Sequence, residues 1–586
     1  MAASALPAQV VPADVSQTPI PPKPPTDSTA DTTRIKADTI QPPVGRFIDP
    51  VSYEMGPRYE WNRAQLFASG ALTLIDLLER IPQLTTFRSG WIATPQTAAF
   101  NGDFQRVRIF YDGIEIDNLD PANGAILDLS TVQLWTLEHV SIERTASEAR
   151  VYLRSWRVQN TTPYTRVDVS TGNEETNLYR GFYGKRFDRG ELLQLAGQQY
   201  GVTSSRFAGS GDALSLLARV GIGRKSWSLD GFVNRSHSTR GIQRAALGRP
   251  AIPALDVTHT TAYVRAAIGA VDTGPFVQLT AASLRFKGSE AVTTVDTSGA
   301  TVTDTVPLAV SEAQYDLSGG YSLGAARLEV RDRLRSIGGT SYNSVSARFD
   351  MATRIAVLSA FAENDGFRRS TNADVGARLQ PLPFVAVSGS VAQTTARSGN
   401  ASFPSSRSAR GEIGVKVFRP WLSAGVVTLD NAGTPAPVVY DSLLLQVAPG
   451  RLDGTLFAIR GPVAWGVGLD AYLTRWKADG PYRPQYQSRS EINFASTFPR
   501  RFPSGNFELR AAAVYEYRGR NNFPLAAGDV EAAPAKTVSA LLEIRIMRAV
   551  ISYQQRNILA YPHEIVPGFE MPRVLAIYGV RWDFWN

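Results

Sequence analysis

The chain has 586 residues, 43% of them apolar and 19% charged, with a formal net charge of +8 and no cysteine. That length exceeds one small domain, and the apolar share excludes a wholly disordered protein. The lack of cysteine removes disulfides, thiolate catalysis and cysteine-held metals together, and it suits a protein that crosses an oxidising compartment.

No apolar run reaches the roughly 18 residues of a membrane-spanning helix. This excludes a helical membrane protein. It does not exclude a β-barrel, whose strands alternate and score low on hydropathy. The arginines sit singly at alternating positions rather than in a block. That spacing argues against a nucleic-acid partner and for a solvated, arginine-lined barrel interior.

Residues 1–50 hold ten of the 36 prolines, including "PIPPKPP", and read as a low-complexity, polyproline-leaning segment. "LPA" before Gln9 has the form of the end of a leader's cleavage region, so residues 1–8 read either as the remnant of a longer signal peptide or as an ordinary flexible N-terminus. Residues 51–158 read as a small α+β domain. In "GALTLIDLLERIP", Leu74, Ile75, Leu77, Leu78 and Ile81 share a helical face that Pro82 ends. In "RVRIFYDGIEIDNLDP", Val107, Ile109 and Tyr111 alternate, Asp112-Gly113 supplies a tight turn, and Ile114 and Ile116 return, which is a hairpin. "LSTVQLWTLEHVSIER" reads as a helical turn capped by Ser130 and running into a strand.

From 159 to 586 the helical period disappears and strand alternation takes over. Leu328, Val330 and Leu334 oppose Arg327, Glu329, Arg331, Arg333 and Arg335, and Ile413, Val415 and Val417 oppose Glu412 and Lys416. At the end of the chain Tyr578, Val580, Trp582 and Phe584 form an apolar face, while Arg581 and Asp583 lie on the other. About 22 such strands are expected, joined alternately by short turns and long loops. The long connections run from Ser236 to His259, from Lys287 to Glu312 and through "DNAGTPAPVVYDSLLLQVAPGRLDG". The expected fold is a membrane all-β barrel of about 22 antiparallel strands, with Trp582 and Phe584 facing lipid at an aromatic girdle. Arg333, Arg335 and Arg510 then point into the lumen.

The four histidines, His139, His237, His259 and His563, are scattered without ligand spacing, and no catalytic triad, phosphate loop or calcium loop is present. No enzyme, cofactor or metal site is expected. The loops "GPYRPQYQ" and "YPHEIVPGF", with Tyr482, Tyr486, Tyr561 and Phe569, mix aromatic and polar groups and read either as solute contacts or as structural loops with an interfacial tyrosine belt.

A small α+β domain followed by such a barrel resembles the TonB-dependent receptors of Gram-negative outer membranes. "TLIDLLERIPQL", the hairpin with Asp112 and Gly113, and "VQLWTLEHVSIERTASEARVY" are similar, in that order, to the family's plug domain. "YGVRWDF", with Tyr578, Val580, Trp582 and Phe584, resembles the aromatic-ended signal read by barrel-assembly machinery. The resemblance implies a plug at 51–158 inside a barrel at 159–586, a periplasmic N-terminus and an outer-membrane setting of lipid and lipopolysaccharide. It also implies an extracellular solute and a TonB-type energising partner. The family's "RGP" is absent: Arg144 is followed by Thr145 and Ala146. For the TonB box, the extended segment that partner grips, "RIKADTI" comes nearest, with Ile35, Ala37 and Ile40. The expected function is solute import by plug rearrangement. The alternative is a non-transporting plugged barrel that serves as a surface or assembly platform.

Overall fold

The computed structural model describes residues 55–585, apart from 160, 205–208, 247–248, 270–272, 296–300, 399–400 and 403–404. The leader remnant at 1–8, the proline-rich segment and Ile35, Ala37 and Ile40 lie outside them. No described helix is long and apolar enough to cross a membrane, which says nothing about strands.

Residues 58–155 form a mixed five-stranded sheet. Its spatial order is Arg58–Asn62, Leu137–Arg144, Ala149–Ser155, Val107–Tyr111 and Ile114–Ile116. Only the pairing of Val107–Tyr111 with Ala149–Ser155 is parallel. The expected helix spans Leu74–Leu78, and its apolar face is fully buried. Its Asp76 carboxylate accepts from the amides of Leu72 at 2.9 Å and Thr73 at 3.2 Å, which satisfies donors that the helix start leaves orphaned. The helical turn at Leu129–Thr131 is capped by Asp128, not Ser130. Asp128 stands one residue before the turn, and its carboxylate accepts from the Ser130 amide at 2.9 Å.

From Tyr164 onward, 23 strands form one closed antiparallel ladder, and one of these, Ala401–Ser402, only extends a hairpin; 22 strands therefore make the wall. Closure joins the last strand, Leu575–Trp585, to the first, Tyr164–Gly172, with Val580 opposite Val169 and Trp582 opposite Val167. No strand edge is left open along this seam. Alternation sorts the two faces. Val167, Val169, Leu328, Val330 and Leu334 are exposed on the outside, while Arg166, Asp168, Arg333 and Arg335 are buried inside.

Two features depart from the expected loop rhythm. Much of the Lys287–Glu312 stretch is not loop but a hairpin of two 23-residue strands, Thr273–Val295 and Thr301–Leu323. Its Thr- and Val-rich sequence suits a strand. The connection 497–506 is long although it lies on the short-turn rim.

Candidate functional site

The small domain sits inside the barrel, and its hydrogen bonds reach inward-facing residues around the lumen wall. The Asp112-Gly113 turn shows how. Both residues have positive φ, 49° and 85°, the geometry of a tight hairpin turn. The Asp112 carboxylate accepts from the Ser155 amide at 2.9 Å, from the Ser155 hydroxyl, and from the Tyr263 hydroxyl at 2.8 Å. Arg219 lies 3.4 Å away, and Arg265 donates to the Asp112 carbonyl oxygen. Burial alone raises this carboxyl; Arg219, Arg265 and the Ser155 bonds hold it below its ordinary value. The residue that turns the hairpin therefore also fastens it to two barrel strands.

On the sector of wall from Ala326 to Lys416 the contacts are ionic. Arg108 grips Glu115 through both carboxylate oxygens, at 2.7 and 2.8 Å, and reaches Glu363 of the wall at 2.5 Å. Glu115 also receives Arg333, Arg335 at 2.5 Å and Arg368 at 2.9 Å. Asp117 joins Arg335 and Arg368. Further along, Glu143 meets Arg58 at 3.1 Å and Arg348 at 3.0 Å, Arg150 meets Asp374, and Arg144 meets Glu412 at 3.1 Å. Burial raises Glu115, but Arg108, Arg368, Arg335 and Arg333 hold it well below the carboxylate range. Glu115, Glu363 and Asp365 stand close enough to share a cation. With these guanidiniums already between them, they act as ion-pair partners.

A cavity opens in this sector. It is lined by Gly56–Arg58 and Glu143–Thr145 of the inner domain and by Ser359, Gly376, Gly389, Ser390 and Arg410 of the wall. The hydroxyl of Ser390 and the Nε of Arg410 lie buried there without a hydrogen-bond partner, the mark of space built for water. Met55 seats beside this cavity against Gly414, where a Cβ would come within 2.9 Å of it. Gly414 is two residues from the end of its strand at the short-turn rim.

A second sector, from Asn177 to Val295, carries most of the apolar contacts, beside the Asp112 anchors Arg219, Tyr263 and Arg265. Phe182, Leu217, Phe232, Tyr263, Ala282 and Leu284 join one buried cluster with the inner domain's own core. Phe182 meets Phe67, Trp135 and Trp156 at ring-centroid distances of 6.2, 5.9 and 5.6 Å. Tyr111 meets Phe232 at 5.8 Å.

At the long-loop end two further features appear. Phe87, Ala99, Phe104 and Ile126 of the inner domain are covered by a layer of loop residues that includes Tyr440, Tyr482, Phe523 and Phe569. The Tyr440 hydroxyl donates to the Phe87 carbonyl at 2.8 Å. Beside this lid lies a chamber of about 100 Å³, walled by Asp117, Asp120 and Asp128 on one side and by Arg240, His259 and Phe286 on the other. Burial raises both Asp120 and Asp128 above the usual carboxylate value.

The loop aromatics expected to meet solute fall in different places. Tyr482 and Phe569 are buried in the lid rather than facing open space, and the Tyr482 ring meets Phe104 of the inner domain at 5.9 Å. Tyr486 and Tyr561 are half-buried, with Arg475 and Lys536 over their rings. Tyr578, Val580, Trp582 and Phe584 all face outward and are exposed, with Trp582 and Phe584 stacked at 5.7 Å. Arg510 bonds Glu508 of its own wall at 2.6 Å, whereas Arg333 and Arg335 reach the inner domain. The lid was legible only as apolar runs inside loops, "VVY" and "EIVPGF".

No family model matches the sequence, and no curated protein matches it. Solved structures do match the fold. The siderophore receptor PirA from Acinetobacter baumannii superposes with a TM-score of 0.71 at 9% identity, over 90% of this chain and 98% of its own. The FrpB iron transporter from Neisseria meningitidis gives 0.69 at 10%, over 90% and 99%. The copper transporter OprC gives 0.68 at 10%, over 91% and 99%. The chain has the fold of the TonB-dependent receptors, a closed 22-strand antiparallel barrel with a plug-like N-terminal domain.

Proposed function

We propose that the chain is an outer-membrane receptor that takes an extracellular solute at its long-loop end and admits it to the periplasm when the plug rearranges. The N-terminal segment faces the periplasm, and a TonB-type partner pulls on it. The observation that carries this reading is an uneven lumen wall: the plug's apolar contacts gather on one sector, and a dense network of ion pairs holds it to the next. Burying one large apolar side chain is worth roughly 1.5–3 kcal/mol, so the cluster around Phe182 and Phe232 resists separation. A buried ion pair comes close to breaking even against hydration. The seam along Glu115, Glu143 and Glu412 therefore opens at small net cost once water enters. The first described residues, Met55 to Arg58, lie on that seam, so a pull from the N-terminal side loads it first.

The solute's path runs from the chamber beside Asp120 and His259, past the plug, to the water-suited cavity beside Ser390. Structural relatives named for siderophore, iron and copper make metal chelates the first class to test. Cells that produce the full chain are compared with cells producing a chain without residues 1–54, using radiolabelled iron and copper chelates. Uptake of at least one chelate, lost on truncation and on collapse of the proton gradient while surface binding persists, is expected. Binding without uptake, unaffected by either treatment, would instead establish a surface platform.

A further inference from the structure

The connection 497–506 is the one on the short-turn rim that is not short, and it reads "TFPRRFPSGN". It is folded on itself: the amides of Arg501 and Phe502 both donate to the Phe498 carbonyl at 2.9 Å, and the Gly505 amide donates to that of Phe502 at 3.1 Å. Its two phenylalanines continue a row of rings along the outer wall. Phe498 stands 6.2 Å from Phe494 and 6.0 Å from Phe507, and Phe502 stacks on Phe507 at 4.6 Å. Phe494 and Phe507 share the outward face with Ile492 and Ile546, both exposed. The row therefore marks the lower edge of the apolar band.

Between the two phenylalanines stand Arg500 and Arg501. Both are exposed, and neither side chain forms a hydrogen bond or an ion pair among the described residues. This is unusual here, since most arginines in the lumen are paired. The connection contains no acid. The neighbouring turns extend the pattern: Trp465 is 92% exposed on one side and Met547 63% on the other, with Arg548 beside it. Trp582 and Phe584 follow on the last strand.

We infer that this sector of the rim binds an anionic phospholipid. Phe498 and Phe502 enter the acyl region, and Arg500 and Arg501 hold the headgroup phosphate. Aromatic rings settle at the membrane interface, and each basic residue near an anionic surface contributes about 1 kcal/mol, roughly fivefold in affinity. A guanidinium fork matches a phosphate's paired oxygens. A free phosphate in solution would not need the ring row, so the occupant is a lipid. The inference rests on the reading that the barrel spans a membrane. It is independent of whether the chain transports anything.

The test uses the full chain in nanodiscs of equal phosphatidylglycerol and phosphatidylcholine, with retained lipid identified by native mass spectrometry. Phosphatidylglycerol should be enriched on the wild type by about 25-fold. Arg500→Ser/Arg501→Ser should bring the ratio near parity, and Arg500→Lys/Arg501→Lys should keep part of it. Heat-modifiability on gels verifies that each barrel is closed. Phe498→Ser/Phe502→Ser should lower retention of both lipids. Equal retention of the two lipids on the wild type would overturn the proposal, as would an enrichment that survives loss of both arginines. Loss of enrichment on adding inorganic phosphate at constant ionic strength would overturn it in favour of a free-phosphate site.

Discussion

Arg144 of the plug and Glu412 of the barrel wall form an ion pair at 3.1 Å, with side chains only 1% and 3% exposed. Arg144 also donates to Gln83 at 3.0 Å and to the Gly56 carbonyl at 3.2 Å. One guanidinium thus joins the wall, the plug core and the start of the described chain. Removing one partner leaves an uncompensated buried charge, at a cost of about 3–5 kcal/mol. Glu412→Ala should therefore loosen the plug and raise the conductance of the protein in planar bilayers. Arg144→Met/Glu412→Leu removes both charges and should restore much of the closure. Unchanged conductance in Glu412→Ala would mean that the pair does not hold the plug.

The Asp112-Gly113 turn is expected to be sensitive in two separable ways. Gly113→Ala places a Cβ at a φ of 85°, at a cost of about 1–2 kcal/mol, and leaves the wall contacts of Asp112 in place. Asp112→Asn keeps the turn but removes the charge facing Arg219 and Arg265. Hydrogen exchange should show the first change as local loosening of the hairpin. The second should also expose amides of strands Gly211–Gly223 and Ala254–Gly269.

The plug should stay seated in mild acid. Asp76, Glu115 and Glu143 are all held below their ordinary values, by guanidiniums that outweigh the upward push of burial. A carboxylate depressed in the folded state contributes stability that is fully present above its unfolded pKa, near about 4. That stability is lost as pH falls through the folded value. Asp120 and Asp128 run the other way: burial raises them, so their unfavourable contribution is relieved on acidification. Bilayer conductance should remain low at about pH 5 and rise only well below about pH 4. Opening at about pH 5 would contradict this assignment.

The last strand separates an outward apolar face from the face that meets the plug. Trp582 and Phe584 face outward, whereas Arg581 donates to the Phe67 carbonyl at 2.6 Å and pairs with Glu543 at 2.8 Å. Trp582→Ser or Phe584→Ser removes apolar burial in lipid worth roughly 1.5–3 kcal/mol and should lower the amount of heat-modifiable barrel in the membrane. Arg581→Ser should leave that amount near wild type and increase proteolysis of the plug. The reverse ranking would invert the facing of this strand.

Much of this architecture is written in the sequence as period two. Alternation at Val167 and Val169, or at Leu328, Val330 and Leu334, fixes which side chains point out, because a strand leaves no other choice. The Asp112-Gly113 turn is local chemistry and is equally legible. The division of the lumen wall is not. Whether an inward residue such as Phe232 or Glu363 meets an apolar or a charged plug surface depends on the plug's rotation in the barrel, which no single strand encodes. Tyr482 and Phe569 were legible as loop aromatics, but their burial required knowing that the loops fold inward onto Phe87 and Phe104. The stretch from Lys287 to Glu312 reads as loop by polarity, yet each strand finds its partner across the hairpin.

The most direct test of the account is site-specific labelling across the two sectors, for which a chain without cysteine gives a clean background. A single cysteine is placed at Ser390, beside the cavity in the ionic sector, or at Ala282, in the apolar sector, both buried in the resting structure. A membrane-impermeant thiol reagent is applied to energised and uncoupled cells. The account predicts that Ser390→Cys is labelled faster in energised cells and that Ala282→Cys stays protected in both. Equal protection of Ser390→Cys with and without energy, or preferential labelling of Ala282→Cys, would contradict it.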